Sequence, residues 1–273
     1  MGNHAIKEVS VRRYRGTDAG DVPDILAVEE PLEIRLEYGP EDKRVVKNLS
    51  VTMRTPGADE DLAAGFLFTE GIVHRASDIA GIRGMENIVI VALDPELPVD
   101  LQKLERHFYT TSSCGVCGKT SIDAVKTVVN CSFSDKSERP DIRPEVIYGL
   151  PDTLRREQAT FEATGGLHAS ALFSREGRLL AIREDVGRHN ALDKLIGHYL
   201  RQDRVPLSDY ILLLSGRASF ELIQKAAMAG IRVVCAVGAP SSLAVETAGA
   251  FGIALVGFLR DNRFNVYCGT VGD

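Results

Sequence analysis

Two thiols three positions apart, Cys114 and Cys117, are the side chains best suited to do chemistry in this sequence. They lie in the run Tyr109-Thr110-Thr111-Ser112-Ser113-Cys114-Gly115-Val116-Cys117-Gly118-Lys119-Thr120. Small and hydroxylated residues with two glycines favour a mobile loop there. The C-x-x-C spacing serves three chemistries. A structural zinc site needs two more ligands of similar kind. With no second C-x-x-C or H-x-x-x-H, closure would fall to isolated residues such as Cys131 and His107, which disfavours zinc. A thioredoxin-type dithiol needs a strand-to-helix junction, and no clear strand precedes Cys114. The third chemistry is sulfur carriage, in which a thiolate accepts a sulfane sulfur as a persulfide and hands it on. That task needs an exposed, mobile and easily ionised cysteine. A loop ending near a helix N-terminus, with Lys119 close by, meets those needs, and packing gives no reason for two thiols in so polar a stretch. The total of five cysteines is odd, which argues against a complete disulfide framework. Cys235 sits in the apolar run 231–237 and reads as a small buried hydrophobe.

Other stretches place polar groups where strands give way to helices. In Arg183-Glu184-Asp185-Val186-Gly187-Arg188-His189-Asn190, the side chains of Asp185, Arg188, His189 and Asn190 can hydrogen-bond a polar ligand. They can equally make a helix cap with a surface ion pair. In Ser215-Gly216-Arg217-Ala218-Ser219, glycine lets backbone N–H groups approach an anion and Arg217 adds a bidentate donor. The G-x-x-x-x-G-K-[ST] of a Walker loop is absent. Gly238-Ala239-Pro240-Ser241-Ser242 is a similar exit without an arginine, or an ordinary turn with a serine N-cap. Phe258-Leu259-Arg260-Asp261-Asn262-Arg263 sets two arginines around an acid and an amide. That combination suits a purine edge and its phosphates, and in isolation it reads as a charged hairpin turn. His168-Ala169-Ser170 invites comparison with zinc nucleoside deaminases, whose signature is H-x-E followed by P-C-x-x-C. Here the C-x-x-C precedes the histidine, Ser113 replaces the proline and Ser170 replaces the glutamate, so deaminase chemistry is disfavoured.

The elements that must position these groups are legible mainly in the second half. Residues 168–173 and 179–184 read as a hairpin, and 190–200 as a helix. Strands follow at 210–214, 231–237 and 253–259, with helices at 220–229 and 242–248 between them. This alternation indicates a parallel sheet covered by helices, whose ligands sit beyond the carboxyl ends of the strands. A short polar helix is expected over 151–163. In the first half, strands are expected at 32–36, 45–53 and 88–93, and a helix opens at Asp59-Glu60-Asp61 and runs to 68. A further helix is expected over 122–129. Residues 1–30 read as loosely structured, and a soft domain boundary falls near 145, dividing 1–145 from 146–273.

The 273 residues are 44% hydrophobic and 26% charged, the mixture of an ordinary soluble globular protein. That length buries enough apolar surface to fold without disulfide or metal staples. The 25 Gly, 11 Pro and moderate charge exclude collagen-like, mucin-like and wholly disordered classes. A net charge of −6 without a long Lys/Arg run makes the chain a poor candidate for general nucleic-acid or anionic-membrane binding, while leaving room for a local cluster of arginines on one phosphate-bearing ligand. No apolar stretch approaches a membrane span, and residues 1–15 lack the apolar core of a secretory signal. A cytoplasmic protein is expected.

In order along the chain, these segments resemble the FdhD family, the sulfurtransferases that formate dehydrogenases require. The matching pieces begin with Asp61-Leu62-Ala63-Ala64-Gly65-Phe66-Leu67-Phe68-Thr69-Glu70-Gly71-Ile72 and Thr111 to Gly118. They continue with Gly165-Gly166-Leu167-His168-Ala169-Ser170-Ala171, the run from Glu184 to Lys194, Ser215-Gly216-Arg217-Ala218-Ser219-Phe220-Glu221, and Gly257-Phe258 with Arg260. The match runs from about residue 30 to the end. The resemblance implies an α/β fold with a cytidine-deaminase-like layered sheet and flanking helices, plus a smaller N-terminal mixed α/β region, and a homodimer. It implies that sulfur comes from a cysteine desulfurase and goes to a molybdenum (or tungsten) bis(molybdopterin guanine dinucleotide) cofactor destined for apo-formate dehydrogenase. Cys114 would carry the persulfide with Cys117 assisting. Phe258, Leu259, Arg260, Asp261, Asn262 and Arg263 would fall in the cofactor-binding stretch. Ser215, Gly216, Arg217, Arg188, His189 and Asn190 join them as candidate cofactor-binding residues from the loop reading, with GDP as the natural analogue. No resident metal is expected. Two alternatives stand beside this: a non-catalytic molybdenum cofactor chaperone, and a thiol oxidoreductase with a reversible Cys114–Cys117 disulfide.

Overall fold

A computed structural model describes residues 5–98 and 142–272. Cys114, Cys117, Cys131, His107 and the helix expected over 122–129 lie outside the described residues. Three sheets are present among those described, of two, four and six strands. The N-terminal hairpin joins β1 (Ile6–Arg15) to β2 (Asp18–Ala27) through Gly16, whose φ of 62° suits the tight reversal. This corrects the expectation of loose structure over 1–30: charged residues alternating with Val9, Val11 and Val22 conceal a strand pattern.

The four-stranded sheet runs β4-β3-β6-β5, built from β3 (Glu30–Tyr38), β4 (Val45–Arg54), β5 (Ile79–Met85) and β6 (Ile88–Leu93). Helix α1 (Asp59–Thr69) crosses its inner face, where Leu32, Ile34, Leu36, Val89, Val91 and Leu93 are buried. β5 was not expected, because its Gly81 and Gly84 weaken the strand signal.

The six-stranded sheet runs β12-β11-β10-β9-β7-β8. Its strands are β7 (His168–Phe173), β8 (Leu179–Asp185), β9 (Ile211–Leu214), β10 (Val233–Ala236), β11 (Ala254–Arg260) and β12 (Arg263–Cys268). The parallel arrangement expected of the strands that alternate with helices holds for β9, β10 and β11, and the expected hairpin is β7–β8. β7, β8 and β12 run antiparallel to their neighbours, since short reversals join β7 to β8 and β11 to β12 and leave no room for a crossover. Successive residues serve opposite faces. Leu212, Leu214, Val234, Ala236 and Leu255 pack under α4 (Arg188–Leu200), α5 (Phe220–Met228) and α6 (Ser242–Ala250), while Ile211, Leu213, Val233, Cys235 and Val256 pack against α2 (Pro144–Glu157). Both faces are covered, and each buried Leu or Val contributes about 1.5–3 kcal/mol. The helix expected over 151–163 is instead α2, which starts at Pro144, followed by the short α3 (Ala159–Thr164). Pro144, not Pro151, takes the favoured first-turn place.

The two larger sheets share one apolar cluster, in which Leu62 and Leu67 of α1 meet Leu192 and Ile196 of α4. A Cβ on Gly65 would stand 1.9 Å from the Asp193 carbonyl oxygen, and one on Gly197 1.9 Å from the Asp61 carbonyl oxygen. The two helices therefore cross backbone to backbone. Lys225 of α5 closes the layer by donating to both Asp193 carboxylate oxygens, at 2.9 and 2.8 Å, and to Thr69 Oγ1 at 2.8 Å. Burial raises the Asp193 carboxyl above the ordinary range even with this cation beside it. Residue 145 is the second residue of α2. Among the described residues no helix is long and apolar enough to cross a membrane.

Candidate functional site

The carboxyl ends of β9, β10 and β11 lie on one edge of the six-stranded sheet, and backbone hydrogen bonds lace their exit loops together. Gly238 N donates to Gly216 O at 3.0 Å, Ser241 N to Ala218 O at 3.0 Å, and Phe258 N to Gly238 O at 3.1 Å. A Cβ on Gly238 would lie 3.0 Å from the Gly216 carbonyl oxygen, so a side chain there would push these stacked loops apart by a few tenths of an ångström. Ser241 N-caps α6, its Oγ accepting from Ala244 N at 3.2 Å, the role the ordinary-turn reading gave it.

β7 runs antiparallel to β9, with Ser170 opposite Leu214, so the start of β7 reaches the same edge. Ser215 Oγ accepts from Ala169 N at 2.8 Å and ties the two strands together at that point. His168 stands beside Gly216: a Cβ there would be 3.3 Å from His168 Nδ1. Burial, followed by the positive charge of Arg188 and the neighbouring His189, lowers the His168 pKa, so its ring is neutral at pH 7. Sequence reasoning weighed His168 only as a lost deaminase ligand; its place opposite Gly216 emerges only when β7 and β9 pair.

The loop from β8 to α4 meets this edge because His168 pairs with Asp185. Asp185 is wholly buried and forms an ion pair with Lys194, Nζ to Oδ2 2.7 Å. Lys194 Nζ also donates to Thr55 O at 2.8 Å, while Thr55 N donates to Asp185 Oδ2 at 3.2 Å and Gly187 N to Oδ1 at 2.8 Å. Asn190 is drawn into the same network. Its amide donates to Met53 O at 2.8 Å and to Asp185 Oδ1 at 3.1 Å, and its oxygen accepts from Thr52 at 3.3 Å. Asn190 and Asp185 are thus engaged in fastening the end of β4 to α4. Arg188 and His189 are half-buried at the site edge.

His189 Nε2 lies 3.6 Å from Glu221 Oε2 on the first turn of α5. At that separation Nε2 is buried with no hydrogen-bond partner among the described residues, and Ser219 Oγ is in the same condition. His189, ahead of the backbone N–H at the helix start, holds the Glu221 carboxyl down to about 2. Glu221 carried no weight in the loop reading; only the approach of α5 to α4 reveals it. Arg217 is exposed at the mouth of the β9 exit.

The stretch 258–263 divides. Phe258 has φ 54° at a bulge between β11 and β12. Leu259 is 1% exposed and belongs to the core under α2. Asp261 and Asn262, both at φ 52°, form the two-residue turn of the β11–β12 hairpin, with Arg260 opposite Arg263. All four residues of this turn are exposed beyond the β10 exit. The structure therefore brings together His168, Arg188, His189, Ser215, Gly216, Arg217 and Phe258. It sets Arg260, Asp261, Asn262 and Arg263 on a projecting turn at the same end of the sheet, takes Leu259 into the core and engages the Asn190 amide with β4 and Asp185. Cys114 and Cys117 lie outside the described residues.

The arrangement offers neutral imidazole, guanidinium groups and close-approach backbone at one sheet edge, chemistry suited to an anionic heterocyclic ligand. The model of the FdhD/NarQ family matches residues 27–271. The chain belongs to that family. Its FdhD/NarQ relatives match over nearly the full length. The sulfur carrier protein FdhD of Streptomyces avermitilis is 50% identical over 95% of this chain and 92% of the relative. The sulfur carrier protein FdhD of Mycobacterium tuberculosis is 48% identical over 94% and 95%, and that of Saccharolobus solfataricus 40% identical over 96% of both chains. A crystal structure of a putative formate dehydrogenase accessory protein from Desulfotalea psychrophila superposes with a TM-score of 0.75, covering 97% of each chain at 22% identity. At that identity the likeness speaks for the α/β fold.

Proposed function

We propose that this chain is a sulfurtransferase in which Cys114 accepts a sulfane sulfur from a cysteine desulfurase and delivers it to a molybdenum bis(molybdopterin guanine dinucleotide) cofactor, bound as substrate and destined for a formate dehydrogenase. The observation that carries this reading is identity of 48–50% over nearly the whole chain to proteins named sulfur carriers. Thiol chemistry supports the choice of cysteine. Cys235 is fully buried, and burial pushes its thiol up to about 12, so it remains protonated and out of reach of a donor. Cys268 is half-buried in β12. Cys114, with Lys119 nearby in sequence, is the better nucleophile.

In the first step the Cys114 thiolate attacks the terminal sulfur of the donor's persulfide. The donor's S–S bond breaks, its thiolate leaves, and Cys114 holds S–SH. In the second, the Cys117 thiolate attacks the inner sulfur of that persulfide, and hydrosulfide departs to the substrate. A Cys114–Cys117 disulfide remains, which a cellular dithiol reduces. Such a cycle suits the cytoplasm, where thiols are kept reduced. Arg217, Arg188 and the Arg260–Arg263 turn supply charge for the guanine nucleotide phosphates, and His168 offers a neutral donor and acceptor beside Gly216. GDP is the simplest analogue of that half of the substrate.

The test is incubation with a cysteine desulfurase and cysteine, followed by intact-mass measurement. The chain should gain the mass of one sulfur atom, and Cys114→Ala should gain none while still binding GDP. Sulfur loading of Cys114→Ala would overturn the assignment of the thiol. GDP binding with no sulfur gained by the unaltered chain would favour a cofactor chaperone.

A further inference from the structure

Glu221 is an acid among cations. Arg188, Arg217, Arg260 and Arg263 lie at the end of the six-stranded sheet where β9, β10 and β11 finish, and the carboxylate of Asp185 there is already paired with Lys194. Glu221 stands on the first turn of α5 with its side chain 23% exposed. A carboxylate in that place repels the phosphates that arginines attract, so the part of a nucleotide set against it must donate hydrogen bonds. His189, on the first turn of α4, faces it. The His189 Nε2 is 3.6 Å from Glu221 Oε2, too far for a hydrogen bond between them, and among the described residues this buried nitrogen has no other partner. An ionised carboxylate only accepts, so the ring nitrogen turned towards it carries the proton. The pair presents one unused donor beside one acceptor, at a spacing that adjacent atoms of a single planar group can bridge.

Nucleobases differ in what they offer such a pair. Guanine carries O6, N1–H and the N2 amino group side by side, an acceptor followed by two donors. Adenine and cytosine begin with an amino donor and continue with a ring acceptor, so they would set donor against His189 and lone pair against Glu221. Uracil has a single donor between two acceptors. Hypoxanthine shares O6 and N1–H with guanine and lacks only the amino group. We infer that His189 and Glu221 read the base of the guanine nucleotide: His189 Nε2–H donates to O6, and the two Glu221 carboxylate oxygens accept from N1–H and from the N2 amino group. This rests on the reading of the substrate as a guanine dinucleotide and assigns the residue that selects guanine. Glu221 is the specificity-determining group, because no other common base sets two adjacent donors behind an acceptor for a bidentate carboxylate. Arg188, next to His189 in the chain, and Arg217, four residues before Glu221, remain for the phosphates. The buried His189 N–H then gains the partner that the protein itself does not supply.

The test is calorimetric titration of the full chain with GDP, IDP and ADP. A hydrogen bond to a charged group changes affinity by about tenfold to a hundredfold. GDP should therefore bind at least tenfold more tightly than IDP, which lacks only the amino group, and ADP should bind more weakly than either. Glu221→Gln keeps the shape of the side chain but turns an amide N–H2 towards one of the two base donors. It should weaken GDP by about tenfold to a hundredfold and IDP much less, so the GDP-to-IDP ratio collapses towards one. His189→Ala removes the O6 donor common to both bases, so it should weaken GDP and IDP alike and preserve their ratio. Circular dichroism of each variant checks that the fold is intact. GDP and IDP binding equally to the unaltered chain would overturn the assignment while leaving guanine nucleotide binding and sulfur transfer standing. Equal weakening of all three nucleotides by Glu221→Gln would overturn it too, since that is the mark of a structural role. Absence of GDP binding by the unaltered chain would overturn both this assignment and the reading of the substrate on which it rests.

Discussion

Glu221 shows how a single side chain ties the site to pH. Its carboxyl is held at about 2 against an ordinary 4.5, with His189 the leading cause. A depressed carboxylate adds stability that is present above the unfolded value and lost as pH falls through the folded one. The window is therefore from pH 4.5 down to about 2. Urea midpoints of the unaltered chain should fall through that window more steeply than those of Glu221→Gln. Parallel curves would show that the ion pair with His189 adds nothing to folding. His168 follows the same sign: its pKa is lowered, so its contribution is present above the ordinary 6.5 and is lost as pH falls below it.

At the scale of elements, α1 and α4 cross with the closest backbone approach found at any glycine of the described residues. Gly65 and Gly197 face the opposite backbone at distances that admit no Cβ. Gly65→Ala should lower stability by on the order of 3 kcal/mol, since backbone cannot yield as a side chain does. Gly149→Ala, where a Cβ meets nothing within 4 Å, is the control on an exposed stretch of α2 and should be neutral or slightly stabilising. Chemical denaturation of the two variants checks this; equal stability would mean that the helices slide apart without cost. Several elements were legible because their periodicity is strong. Residues 88–93 and 168–173 coincide with β6 and β7, and α1, β8 and the alternating elements after 188 fall within a few residues of expectation. β1, β2, β5 and β12 were missed because charged residues or glycines break the pattern, and edge strands take their conformation from a neighbour.

For the molecule as a whole, one apolar cluster runs from the four-stranded sheet through α1 and α4 to the six-stranded sheet, and the Asp185–Lys194–Thr55 network reinforces it. Removing either half would expose that cluster to water. The chain should therefore unfold in a single calorimetric transition, with van't Hoff and calorimetric enthalpies equal. Two resolved transitions, one for residues before about 145 and one after, would mean that the shared cluster does not couple the halves.

The sequence by itself determined the chemistry on offer and most of the scaffold. Two cysteines three apart in a polar stretch of sequence, the glycine-bearing strand exits and the alternation of strands with helices are local patterns, and local patterns survive without a neighbour. The tertiary structure decided which polar groups remain free for a ligand. Asn190 and Asp185 are spent on β4, Leu259 turns into the core, and His168 meets Gly216 across paired strands. Hydrogen-bond partners far apart in the chain are chosen by sheet register and helix crossing, and neither is written in the spacing of any one segment.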